Sequence, residues 1–265
     1  MLLGFIGTGN MGGALARAAA KVLPGEDIIL SDGHFETASK LAAELGCQAQ
    51  SVAAVAENAH LIWLGVKPQV IGSVLQDIAP ILKKRRDFVL VSMAAGVSIS
   101  QIQTLAGGAY PVIRIMPNIP VKAGGGVILY DATENVSAEA LEAFCRSMSC
   151  AGLVDRLPEK LIDAGSALSG CGPAFVSIFA EALADGAVAC GLSRCAANTY
   201  AAQTLLGTAQ YLLQTGEHPA ALKDAVCSPG GSTIAGVKAL EDGGFRAAVM
   251  EAVCAAYEKT RNLGK

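Results

Sequence analysis

The chain has 265 residues, 52% hydrophobic and 16% charged, which is ample apolar material for a core and excludes a disordered polymer. Its 20 Lys and Arg against 23 Asp and Glu leave a formal net charge of -3, so there is no basic footprint for nucleic acid. Three histidines and eight cysteines without a C-x-x-C pair argue against a metal site and for reduced thiols packed in a cytoplasmic protein. No membrane span is expected, because the most apolar stretch, Phe175 to Leu192, carries Glu181 and Asp185 about one helical turn apart.

From Leu2 to about Asp155, short apolar runs alternate with amphipathic stretches, the pattern of βαβ units and a parallel sheet. Strands are expected at Leu2–Ile6, Ile28–Leu30, Leu61–Val66, Phe88–Val91, Val112–Ile115 and Gly126–Tyr130. Helices are expected at Ala14–Val22, Glu36–Leu45, Val70–Ile81, Ser98–Leu105 and Ser137–Met148. The run Lys83-Lys84-Arg85-Arg86 reads as a solvated loop before a strand. After Leu157-Pro158 the β-branched runs stop and alanine-rich helices take over. The expected architecture is α/β, a Rossmann-type doubly wound parallel sheet over 1–157 followed by an all-α domain over 158–265. So many alanines bury little area per residue, and the helical half is therefore expected to cover its apolar surface in a homodimer.

Gly7-Thr8-Gly9-Asn10-Met11-Gly12 follows an apolar strand and opens a helix, the context that a dinucleotide fingerprint requires. Gly7 permits the tight turn, Gly9 lets backbone approach a pyrophosphate, and Gly12 lets helix and strand pack closely. The next strand ends at Ser31-Asp32, where a carboxylate ordinarily holds the adenosine ribose of NADH and repels a 2′-phosphate. Asp32 alone thus leans towards NADH, unless it turns away or only caps the following turn, in which case Ser31, His34 and Lys40 are left to contribute. Val66-Lys67-Pro68 and Asn118 close later strands on the same rim and are expected at the nicotinamide end. Lys67 as a solvated strand end and Asn118 as a turn former are the plainer alternatives.

Two glycine-rich loops punctuate the helical half, Ser169-Gly170-Cys171-Gly172-Pro173 and Cys227-Ser228-Pro229-Gly230-Gly231-Ser232-Thr233. A Gly-Gly step into a helix leaves backbone N–H groups pointing outward, a nest suited to a carboxylate, and Thr233 adds a hydroxyl. Helix-turn-helix punctuation with Ser and Thr as caps is the bland alternative.

Together, Gly7–Gly12, Val66-Lys67-Pro68, Met116-Pro117-Asn118, Ser169–Pro173 and the run from Cys227 through Leu240-Glu241 resemble pyrroline-5-carboxylate reductase over essentially the whole chain. The resemblance implies NAD(P)H-dependent reduction of 1-pyrroline-5-carboxylate to proline, a Rossmann domain with a helical dimerisation domain, and NADPH as the usual cofactor. Higher assemblies built from dimers are left open. The nearest rival is a β-hydroxyacid dehydrogenase, whose family resembles this plan but places a lysine base where Val176 stands here. A nicotinamide-binding sensor without turnover is the third reading. In the favoured one, Gly230, Gly231, Ser232 and Thr233 bind the substrate carboxylate, and the Thr233 hydroxyl is the catalytic contact to the ring nitrogen.

Overall fold

The computed structural model describes residues 1–261 and divides into two compact units, residues 1–170 with 256–261, and Cys171–Ala255. The first unit is built on one eight-stranded sheet: β1 Leu3–Ile6, β2 Ile28–Ser31, β3 Gln48–Ala49, β4 Leu61–Leu64, β5 Val89–Ser92, β6 Val112–Pro117, β7 Gly126–Ala132 and β8 Gly152–Arg156. Their spatial order is β3-β2-β1-β4-β5-β6-β7-β8. Neighbours are parallel except at β6 and β7, which pair antiparallel, so β7 and its parallel neighbour β8 run against the rest. The connections carry α1 Asn10–Ala19, α2 Phe35–Leu45, α3 Val52–Asn58, α4 Pro68–Leu82, α5 Ile99–Ala106 and α6 Ala138–Ser147. The order of strands reverses between β1 and β4, which opens a crevice at their carboxyl ends.

The strands read as unbroken apolar runs because both faces of the sheet are covered. In β4, Leu61 and Trp63 point into one core with Phe5, Leu15 and Phe144, whereas Ile62 and Leu64 point into the other with Ile71, Leu75 and Ile102. Trp63 stacks on Phe5 at 5.1 Å between ring centroids and tilts against Phe144 at 5.5 Å. Each such fully buried large side chain contributes roughly 1.5–3 kcal/mol.

β3, β8 and α3 were not among the expected elements. The Lys83–Arg86 run is the expected solvated turn before β5, with Lys83, Lys84 and Arg86 exposed and Arg85 alone half-buried. Arg85 donates from Nη1 to the Ala56 carbonyl at 2.6 Å, pairs with Asp87 and lies over the Phe88 ring.

A further helix, α7 Glu159–Ser169, belongs by packing to the sheet unit, one helix beyond the expected division after residue 157. The reason is chemical: Ile162 is buried with Met116 and Leu129, and the Asp131 carboxylate accepts the Glu159 N–H at 2.7 Å.

The second unit holds α8 Gly172–Ala189, α9 Arg194–Thr215, α10 Pro219–Ala225, α11 Ser232–Asp242 and the larger part of α12 Phe245–Arg261. Its only buried apolar residues are Ala184, Ala197 and Ala201, where α8 and α9 meet. Ile178, Leu206, Leu213 and Met250 are all exposed. Contrary to the expectation that no stretch is suited to a membrane, Glu159–Ala189 is long and apolar enough to cross one by length and composition. Small, weakly apolar residues before Phe175 lengthen the run ahead of Glu181 and Asp185.

Candidate functional site

The crevice at the β1 and β4 ends is shaped by glycines. Gly7 adopts φ +93°, and its N–H donates to the Ser31 carbonyl of β2 at 2.8 Å. A Cβ on Gly12 would collide with the Gly7 carbonyl oxygen, so α1 rests directly on the turn. A Cβ on Gly9, by contrast, would meet nothing within 4 Å, and Gly9 and Asn10 are exposed. The turn at Gly7 and the close packing at Gly12 are those that the fingerprint requires, and Gly9 leaves its side of the loop open. Gly65, which the sequence reading did not single out, belongs to the same device. Its N–H donates to the Ile6 carbonyl at 2.8 Å, and a Cβ there would also strike the Gly7 oxygen.

Helix starts sort into two kinds. Side chains cap α3, α5, α6, α9 and α10, through Ser51, Ser98, Ser137, Ser193 and His218. The N-cap residue gives no side-chain cap to α1, α2, α4, α7, α8 or α11, although the Asp131 carboxylate takes the first N–H of α7. An uncapped start keeps its first N–H groups and the positive end of the helix dipole for a ligand. At α1 those groups adjoin the open face of Gly9, and no acidic residue occupies the first turn. The loop thus fits the diphosphate of a dinucleotide.

Asp32 is turned towards this loop. One of its oxygens accepts the N–H and the hydroxyl of Thr8 at 2.7 and 3.1 Å, and the other accepts the His34 N–H at 3.0 Å. Burial opposes the charged form, but the His34 and Thr8 donors outweigh it and hold the carboxyl below its usual range. Beyond Asp32, residues Gly33–Thr37 and Lys40 line an open cavity of about 520 Å³ at the start of α2. Ser31 is buried in β2.

Lys67 is exposed at the start of α4, where its carbonyl accepts from Val70 and Ile71, and Pro68 takes the first helical position. Val66 is half-buried beside it. Asn118 is buried, and its amide serves the protein itself: Nδ2 donates to the Ser169 carbonyl and Oδ1 accepts from the Val127 N–H, both at 2.8 Å.

In the helical unit, Gly230 has φ +68°, and the Gly231 N–H closes the turn onto the Ser228 carbonyl at 3.0 Å. Gly231 then starts α11, followed by exposed Ser232 and Thr233. The Thr233 hydroxyl has no hydrogen-bond partner among the described residues, so it does not cap the helix. Of the donor set that the Gly-Gly step promised, the Gly231 N–H is spent on the Ser228 carbonyl, and the N–H groups of Ser232 and Thr233 are left for a ligand.

Residues 159–263 match the model of the pyrroline-5-carboxylate reductase dimerisation region, and residues 2–96 match that of the coenzyme F420-dependent NADP oxidoreductases. The chain is 40% identical to pyrroline-5-carboxylate reductase of Escherichia coli K12, covering 99% of this chain and 98% of that one. The Synechocystis enzyme of the same name is 42% identical at the same coverage. Among solved structures, the pyrroline-5-carboxylate reductase of Coxiella burnetii superposes with a TM-score of 0.92 at 30% identity, covering 99% and 98% of the two chains. The Plasmodium falciparum pyrroline carboxylate reductase with NADP bound superposes with a TM-score of 0.87 at 32% identity, covering 100% and 98%. With its sheet, glycine crevice and helical half all inside these matches, the chain belongs to the pyrroline-5-carboxylate reductase family.

Proposed function

We propose that this protein reduces 1-pyrroline-5-carboxylate to L-proline with NADPH, closing the proline biosynthetic route. The observation that carries the reading is the α11 start, where the N–H groups of Ser232 and Thr233 suit a carboxylate beside a hydroxyl without a protein partner. When bound, the nicotinamide supplies a hydride to the C=N carbon. The ring nitrogen takes a proton, so the imine becomes a secondary amine.

The chain's own residues bind and orient. Gly9 to Gly12 and the α1 start hold the diphosphate, Val66-Lys67-Pro68 lies at the crevice, and Gly230 to Thr233 fix the carboxylate. The Thr233 hydroxyl contacts the ring nitrogen, aligning the C=N carbon for transfer. Because a protonated imine already accepts hydride, no side-chain base is required, consistent with Val176 at the position where the hydroxyacid dehydrogenases carry lysine.

NADPH is accommodated with the Asp32 carboxylate turned onto Thr8 and His34, its charge retained, and with the 2′-phosphate in the neighbouring cavity, where His34, Thr37 and Lys40 stand with Glu36. The functional form is a homodimer, supported by a second unit with three buried alanines and many exposed apolar side chains. A cytoplasmic location suits eight cysteines that are all free thiols. Mixing enzyme, NADPH and the imine acid, then following loss of nicotinamide absorbance and formation of proline, tests the reading. Turnover of a hydroxyacid with none of the imine would overturn it.

A further inference from the structure

Strand β6 carries Arg114, Met116 and its exit residue Asn118 on one face, and all three engage α7. Arg114 is buried, its side chain only 6% exposed, and forks between Glu159 at 3.2 Å and Asp163 at 2.9 Å. Met116 packs in the cluster that buries Ile162. Asn118 holds the Ser169 carbonyl at 2.8 Å, at the last residue of the helix.

The order of the contacts is the same along both elements. Arg114 meets Glu159 and Asp163, and Asn118, four residues or about 13 Å further along the strand, meets Ser169 at the far end of the helix, so strand and helix run in one direction. A Cβ at Gly165 would collide with the Leu129 side chain, which shows how closely the helix is seated. Glu159 also accepts the Ile99 N–H at 2.7 Å, so the same carboxylate fixes the start of α5, just after the loop that leaves β5. Arg114 Nε, buried without a partner, leaves the fork committed to these two carboxylates alone.

We propose that Arg114 is a positioning residue for the reaction. It touches neither substrate nor cofactor. Through Glu159 and Asp163 it sets the register of α7 on β6, and so places the Ser169-Gly170 turn at the carboxyl end of the sheet. This rests on the imine reduction proposed above, and it adds the Ser169-Gly170 turn to the parts whose small displacement slows hydride transfer steeply.

The test is Arg114→Lys, which keeps the charge but cannot fork to two carboxylates, with Asp163→Asn as a milder second variant that leaves Glu159 paired. Arg85→Met is the control, a partly buried arginine at the amino ends of the strands that bonds the Ala56 carbonyl. In the full-length enzyme, Arg114→Lys should lower kcat about ten- to a hundredfold while the NADPH dissociation constant stays within about threefold of wild type. Asp163→Asn should show a smaller loss of the same kind. Arg85→Met should lower the melting temperature with kcat intact. If Arg114→Lys fails to fold, Asp163→Asn carries the test alone. Wild-type kcat in both variants, or a loss that follows melting temperature as in Arg85→Met, overturns the proposal. A wild-type enzyme that fails to reduce the imine refutes the functional reading instead.

Discussion

Asp32 and Thr8, 24 residues apart in the chain, are joined twice, by the Thr8 N–H and the Thr8 hydroxyl on one carboxylate oxygen. The residue that local reasoning reserves for a ribose hydroxyl is thus a brace for the glycine loop. Asp32→Asn should therefore weaken NADH binding by about tenfold, roughly 1.4 kcal/mol, through the loosened loop. NADPH should lose less, because removing the charge also favours its 2′-phosphate. Titrating both nucleotides into the variant checks this, and unchanged affinities would show that the brace is idle.

The same brace has a pH signature. Because the carboxyl is held below its ordinary value, its contribution is complete above the usual carboxylate range and is lost as pH falls through the depressed value, below about pH 4. Nucleotide affinity measured over pH 5 to 8 should carry no transition that Asp32→Asn removes.

Thr233→Ala should lower kcat/KM by about ten- to a thousandfold, roughly 1.4 to 4 kcal/mol, with nucleotide affinity nearly unchanged. Thr233→Ser should retain most activity. If the residue served only the helix, Thr233→Ala would instead cost about 1 kcal/mol of stability and leave the kinetics intact. Melting and kinetics on one preparation separate the two.

Phosphate selection is expected at the α2 start. Lys40→Ala should raise the dissociation constant for NADPH by about fivefold, near 1 kcal/mol, and leave NADH within about twofold. Parallel losses for both nucleotides would remove Lys40 from the 2′-phosphate.

Association should depend on the exposed apolar residues of the helical unit. Ile178→Asp, at a side chain 66% exposed, should convert the dimer to monomer in sedimentation experiments and abolish imine reduction. A fully active dimeric variant would place the interface elsewhere.

Much of this was legible in the sequence because it is local. The glycine roles at 7, 9 and 12 follow from one hexapeptide after one apolar run, and six strands followed from apolar runs buried on both sides. β3 escaped notice because it is two residues, Gln48-Ala49, and β8 because Gly152–Arg156 is an edge strand of mixed polarity. α3 is a seven-residue helix hidden in an alanine-rich connection. What stayed illegible is long-range: Arg114 meets partners 45 and 49 residues away, and Asn118 meets Ser169 at a distance of 51. One signal was available, an arginine in the middle of the apolar strand Val112–Pro117, which a buried strand tolerates only when the charge is paired.

The three-alanine core of the helical unit also bears on how the protein fails. If most of its apolar surface finds cover only on a second subunit, folding of that half and association become a single equilibrium, and dilution itself acts as a denaturant. The melting temperature should then climb with protein concentration, and substitutions on the outward faces of α8, α9 and α12 should register as stability defects although they lie at no core position of the single chain.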